Sequence, residues 1–249
     1  MSIAFSNFAA GTTRDRAADT IARGLNVPAW PTDALGVGKQ ATQLNDQNNV
    51  VIAPVAITNE ITAQLQNINA RWQNSNEAEA RVIIDAYFEN IAVEASIPAS
   101  PRMSLELTIS AGGVGGGTGG DTYPLGAQIG NGFVDYVWND LFLGYLPVWQ
   151  GTLVVEAKED LDGGDVGQWQ LAATMATTRQ LSYTQSRYLR GILTDSIQWR
   201  FYQLDCNSGI LSRTPVLNAN VPLQQTYIAA LIRKFFKNYL AQGDIWTMP

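Results

Sequence analysis

The chain has 249 residues, 46% hydrophobic and 15% charged, with a formal net charge of -6. It is too apolar for a disordered chain and long enough for one substantial core, and no apolar run approaches the ~20 residues that span a bilayer. It has no histidine and one cysteine, Cys206, which excludes Ser-His-Asp and Cys-His triads, HExxH and cysteine zinc sites, and an internal disulfide.

In chain order, residues 1–57 read as an N-terminal extension, with a short helix near 14–24 and loop signals at VPAWPTDALGVG. The first residues, MSIAFSNFAAGTTRDRAAD, lack a basic start followed by an apolar stretch. Together with the single cysteine, this predicts an intracellular protein with no membrane partner. From 58 to 95 the pattern is helical: Ile61, Leu65 and Ile68 recur at three to four residues, then Val82, Ile83, Ala86 and Tyr87. Asn76 is placed to cap a helix starting at Glu77, with acids in its first turn. MSLELTI (103–109) alternates as a strand. The glycine-rich SAGGVGGGTGGDTYPLG that follows has no GK[ST], so it reads as a surface loop rather than a Walker A phosphate cradle.

GFVDYVW (132–138) and TLVVEAK (152–158) predict two strands. Residues 165–180 predict a helix with Leu171, Ala172, Met175 and Ala176 on its apolar side. LRGILTD (189–195) and IQWRFYQLD (197–205) predict a hairpin. Residues 222–241 predict an amphipathic helix, with Ile228, Ile232, Phe235 and Tyr239 on one stripe and Arg233, Lys234 and Lys237 on the other side. The element order predicts an α/β domain with a mixed central β-sheet flanked by helices. The core is placed at 58–210, and the C-terminal helix of 211–249 packs on it.

Charge interrupts two of these strands. Asp135 lies between Val134 and Tyr136; Glu156 and Lys158 follow Val154 and Val155 and share one strand face. Taken singly, each is ordinary, and a strand-end Glu-x-Lys also reads as a surface salt bridge. If the strands pair, the two carboxylates meet and repel unless a cation lies between them. Mg2+ or Mn2+ suits oxygen ligands and needs no histidine.

The ordered set VDYVW (Asp135), VVEAK (Glu156, Lys158) and VGQWQ (Gln168) resembles the signature of the PD-(D/E)XK, restriction-endonuclease-like nuclease superfamily. NEAEARVIIDAYF resembles the first helix of restriction-enzyme-like members, and RGILTDSIQWRFYQLD resembles a closing "G..TDG..W.F" strand pair. Such domains occur in fungal and oomycete Crinkler-type effectors. The resemblance spans about 77–205. It implies a restriction-endonuclease-like core and Mg2+- or Mn2+-dependent phosphodiester hydrolysis of nucleic acid, DNA ahead of RNA. Asp135, Glu156 and the backbone carbonyl of Ala157 are implied as metal ligands and Lys158 as the group facing the scissile phosphate. Gln168 is implied as support from the following helix, and Glu77 as the first-helix acid, with Glu79 second. The Asp135–Glu156 separation is 21 residues, and Asp140 within it is the second choice for the metal acid. Val134 stands where the motif has proline, and Ser196 where it has glycine. The alternative is a nuclease-like fold without catalysis, acting as a nucleic-acid or protein binding module.

Charge is uneven along the chain: residues 1–178 carry 8 Lys+Arg and 19 Asp+Glu, residues 179–249 carry 8 and 3. The basic C-terminal part (Arg179, Arg187, Arg190, Arg200, Arg233, Lys234 and Lys237) is therefore the expected phosphate-holding side. A nuclear location and, where both strands of a duplex are cut, a homodimer fit this reading.

Overall fold

The computed structural model describes residues 3–4, 55–71, 76–97, 102–110, 113–115, 130–139, 153–158, 167–168, 170–172, 174–175, 187–207, 211–238 and 243–246. The expected helix near 14–24, Asp140 and Arg179 lie outside them.

Two helices come first. α1 (Asn59–Asn69) begins at Thr58, whose hydroxyl accepts from the Ile61 N–H at 3.3 Å. α2 (Glu77–Glu94) begins at Asn76, whose side-chain oxygen accepts from the Glu79 N–H at 3.0 Å, the cap expected from the sequence. The helical periodicity of 58–95 thus forms two helices, the second starting at the expected Glu77.

Strands β1 (Ile3–Ala4), β2 (Arg102–Ser110), β3 (Gly113–Gly115), β4 (Gly130–Asn139), β5 (Leu153–Ala157), β6 (Tyr188–Thr194), β7 (Gln198–Asp205), β8 (Leu211–Arg213) and β9 (Leu217–Asn218) form one sheet. Its order is β3-β2-β4-β5-β6-β7-β8, with β1 on β4 and β9 on β7. The β2/β4, β4/β5 and β6/β7 pairs are antiparallel. The β5/β6 pair is parallel, and residues 167, 168, 170–172, 174 and 175, helical in the crossover, make that connection possible. The fold is therefore mixed α/β around a mixed open sheet.

Three features differ from the sequence reading. Gly113–Gly115, expected as loop, is a strand paired antiparallel to β2, with Ser110 opposite Gly113. β8 and β9 extend the sheet from β7, so residues after 210 build the same unit as the core instead of only packing on it. α3 (Pro222–Lys237) ends before the expected 241: Asn238 takes φ -117°, outside the helical range, and its side-chain amide donates to the Lys234 carbonyl at 2.9 Å.

Strand alternation assigns the two sheet faces. Tyr136, Leu153, Val155, Ala157, Ile192, Trp199 and Phe201 pack with α1, α2 and α3 in one core. Trp199 is its pivot: fully buried, edge-on to Tyr87 at 5.2 Å, with its indole N–H on the Ser196 carbonyl at 2.9 Å. The opposite face carries the 167–175 helical segment. A Cβ on Gly191 would lie 2.7 Å from Met175 Sδ and 3.0 Å from a Leu171 methyl, so only glycine lets the helix sit this close. Among the described residues, no helix is long and apolar enough to cross a membrane.

Ser196, at the tip of the β6–β7 hairpin, has φ 77°. The hairpin compensates locally: Thr194 Oγ1 accepts the Ser196 N–H at 2.9 Å, and Asp195 Oδ1 accepts from Ile197 and Gln198. A left-handed conformation costs a non-glycine residue roughly 1–2 kcal/mol. Ser196→Gly is therefore expected to raise stability by about 0.5 kcal/mol after glycine's own entropic cost, and Ser196→Val to lower it by about 2 kcal/mol. Urea midpoints of the two variants check both signs.

Candidate active site

The site grows out of one register. β4 and β5 pair with Tyr136 opposite Val155 and Val137 opposite Val154. The ladder ends at Tyr136–Val155, so Asp135 and Glu156 are the next residue on each strand, and the Asp135 charge acts on Glu156. Both are buried, Asp135 at 8% exposure and Glu156 at 1%. Lys158, two residues after Glu156, shares its strand face, and its Nζ lies 3.4 Å from Glu156 Oε2.

Each carboxylate is held by donors from several elements. Asp135 Oδ2 accepts the Ala157 N–H at 2.7 Å, and Oδ1 is paired with Arg81 from α2. Arg81 also binds Glu77, one helical turn before it, at 2.8 Å. Glu156 Oε2 accepts from Gln170 Nε2 at 3.0 Å, and Oε1 accepts from Thr174 Oγ1 at 3.2 Å.

Burial pushes Glu156 up to about 7; the Asp135 charge adds to the rise, while Lys158 and the Thr174 hydroxyl oppose it. Burial also raises Asp135, against Arg81, the Ala157 N–H and Lys158. The pair is thus two desolvated acids that gain from a nearby cation. Asp135 accepts two described donors and Glu156 three, fewer than the roughly four lone-pair positions of a carboxylate. Among the described residues no three His, Cys, Asp or Glu side chains converge. The donor set fits one hard divalent ion held by two carboxylates, the Ala157 carbonyl and water.

The expected site residues divide clearly. Asp135, Glu156, Ala157 and Lys158 come together, and Glu77 joins them through Arg81. Glu79 contributes its N–H to the Asn76 cap. Gln168 requires a correction. It accepts from Arg213 Nη1, and the glutamine on Glu156 is Gln170. At 3.6 residues per turn, two positions rotate a side chain by about 200°, so 170 and 174 share a face that 168 does not. The Gln-x-x-x-Thr spacing of Gln170 and Thr174, and the Glu77–Arg81 spacing, were the available signals.

The expected phosphate-holding cations also need correction. Arg190 is fully buried in β6, donates to the Gly243 carbonyl at 3.0 Å, and is lowered to about 10 by burial. It is a core residue. Arg187 pairs with Asp205 at 3.3 Å, and Arg233 pairs with Glu94. Lys234 is half-buried, and Lys237 is exposed at the end of α3, in the helical layer across the sheet from Glu156. Comparisons with protein-family models, with curated proteins and with solved structures return no match.

Proposed function

We propose that the protein is a metal-dependent nuclease that hydrolyses phosphodiester bonds of nucleic acid, DNA ahead of RNA, with a PD-(D/E)XK-type site on a restriction-endonuclease-like core. The observation that supports this reading is the meeting of two buried carboxyls, Asp135 and Glu156, just past the end of the β4/β5 ladder, with Lys158 Nζ 3.4 Å from Glu156. A divalent cation bound to Asp135, Glu156 and the Ala157 carbonyl would polarise the phosphoryl oxygens and lower the pKa of water.

The chain's own residues supply the rest. Lys158 Nζ, three-quarters buried beside Glu156, donates to a non-bridging phosphate oxygen and stabilises its developing charge. Gln170 and Thr174 fix the Glu156 carboxylate in one orientation. Arg81 holds Asp135 toward the same space and is itself steadied by Glu77. Burial of the pair excludes water and strengthens each of these interactions.

One observation favours the second reading, a binding module without catalysis. Arg81 and the Ala157 N–H occupy both Asp135 oxygens, so the chain neutralises its own acid. Supercoiled plasmid incubated with Mg2+ or Mn2+, beside EDTA and a Glu156→Ala variant, separates the two. The nuclease gives metal-dependent nicking that the variant loses. No cleavage of plasmid, single-stranded DNA or RNA by wild type selects the binding module.

A further inference from the structure

A second concavity lies in the helical layer, across the sheet from Glu156. Helical spacing builds two of its walls: Leu65 on α1, and Ile83 with Tyr87 one turn later on α2. The β6–β7 hairpin tip, the turn after β9 and α3 add Ile197, Ala219 and Gln225. These walls are tied to one another before any ligand arrives. The Ala219 N–H donates to the Ile197 carbonyl at 2.7 Å, and the Tyr87 ring stands edge-on to buried Trp199 at 5.2 Å. The cavity holds about 170 Å³, and its rim includes Ile197, which is 37% exposed.

Its chemistry is neutral, with one polar pair. No Lys, Arg, Asp or Glu is among the described residues that line it. Tyr87 is 1% exposed, and its hydroxyl accepts from Gln225 Nε2 at 3.0 Å. Among the described residues nothing accepts the phenol proton, and nothing donates to Gln225 Oε1. Burial raises the phenol, so the proton stays on it. The pair therefore offers one donor beside one acceptor in an apolar-walled cavity. Turning over the Gln225 amide exchanges the two roles and keeps both. A buried hydroxyl with an unused proton is costly, and a ligand that accepts it recovers that cost.

Size and polarity narrow the occupant. An apolar cavity of ~150 Å³ takes a benzene ring, so this one takes a single six-membered ring. An ion would enter without a charged partner, at a high desolvation cost. A ring with a carbonyl next to an N–H meets both halves of the pair: the carbonyl accepts from Tyr87, and the N–H donates to Gln225. We infer that this cavity is a binding site for a neutral, pyrimidine-sized cyclic amide, held by Tyr87 and Gln225 between Leu65, Ile83 and Ile197. The site is separate from Asp135 and Glu156 and does not depend on the proposed hydrolysis.

The test is an NMR titration of the full-length protein, followed at the Ile197 and Ala219 amides. The probes are uracil, dimethyluracil methylated on both ring nitrogens, and benzoate. Uracil is expected to bind with a Kd on the order of 1 mM, the scale of a small fragment. Dimethyluracil keeps the carbonyls and has no N–H, and benzoate brings a charge; each is expected to bind about tenfold more weakly. Tyr87→Phe keeps the ring against Trp199 and is expected to weaken uracil about tenfold, with unchanged circular dichroism. Val93→Ser, an exposed change outside the cavity, is expected to weaken nothing. No uracil binding at about 10 mM, equal binding of uracil and either other probe, or shifts that leave Ile197 and Ala219 unmoved overturn the site. If Tyr87→Phe fails to fold, the three probes on wild type decide alone.

Discussion

Glu156→Gln is expected to abolish metal-dependent nicking while making the metal-free protein more stable above pH 7. On the proposed nuclease reading, the activity loss follows from removing one of the two carboxylates that would hold the metal and should exceed about 100-fold, of the order seen when a catalytic electrostatic group is removed. The gain in stability follows from burial. Glu156 rises from 4.5 to about 7 in the folded protein. Below about pH 4.5 the carboxyl is neutral in both states. Between 4.5 and 7 the unfolded chain loses its proton while the folded chain keeps it, so wild-type stability falls as pH rises through this window. Above 7 the loss is complete, at most about 3 kcal/mol. Glutamine keeps acceptor and donor atoms for Lys158, Gln170 and Thr174 and carries no charge. The variant's advantage should therefore be near zero at pH 4.5 and largest at pH 8. Added Mn2+ should reverse the order by stabilising wild type alone. Urea melts at pH 4.5 and 8, with and without Mn2+, check all three statements. A pH-independent difference would mean that the carboxyl is already ionised in the folded protein.

Gly191→Val carries the second large effect. The first added carbon would already lie 2.7 Å from Met175 Sδ and 3.0 Å from Leu171, in a fully buried layer. Relieving that contact pushes the crossover helix outward. Overpacking of this kind costs about 2–3 kcal/mol, or roughly 5–10 °C in Tm for a chain of this size. The same helix carries Gln170 and Thr174, so the carboxylate they orient loses its supports together. Activity should fall well below the temperature at which the variant unfolds. Calorimetry beside an activity–temperature profile checks this. The milder Gly191→Ala should reproduce both effects at smaller size.

Much of the architecture can be read from local pattern. The α2 start at Asn76, the alternating strands β2 and β4, the buried run of β5 and the β6–β7 hairpin all follow from periodicity, capping residues and turn chemistry. These signals are short-range, so a single sequence carries them. β1, β3, β8 and β9 were missed because strands of two or three residues have too few positions to show a period.

Linear sequence alone determined that this chain has no histidine chemistry and no internal disulfide, and that two acids and a lysine interrupt its apolar strands. Tertiary structure decided which other residues meet them. Arg81 reaches Asp135 from 54 positions away, and Arg190 is drawn into the core although it sits in a basic segment. Arg200 and Arg213 reach the carboxylate face only through the β5–β6–β7–β8 ladder. The reason is the period of a strand: a side chain's face is local, but its neighbours are set by which strands pair and in what register, and those pairings join residues far apart in the chain.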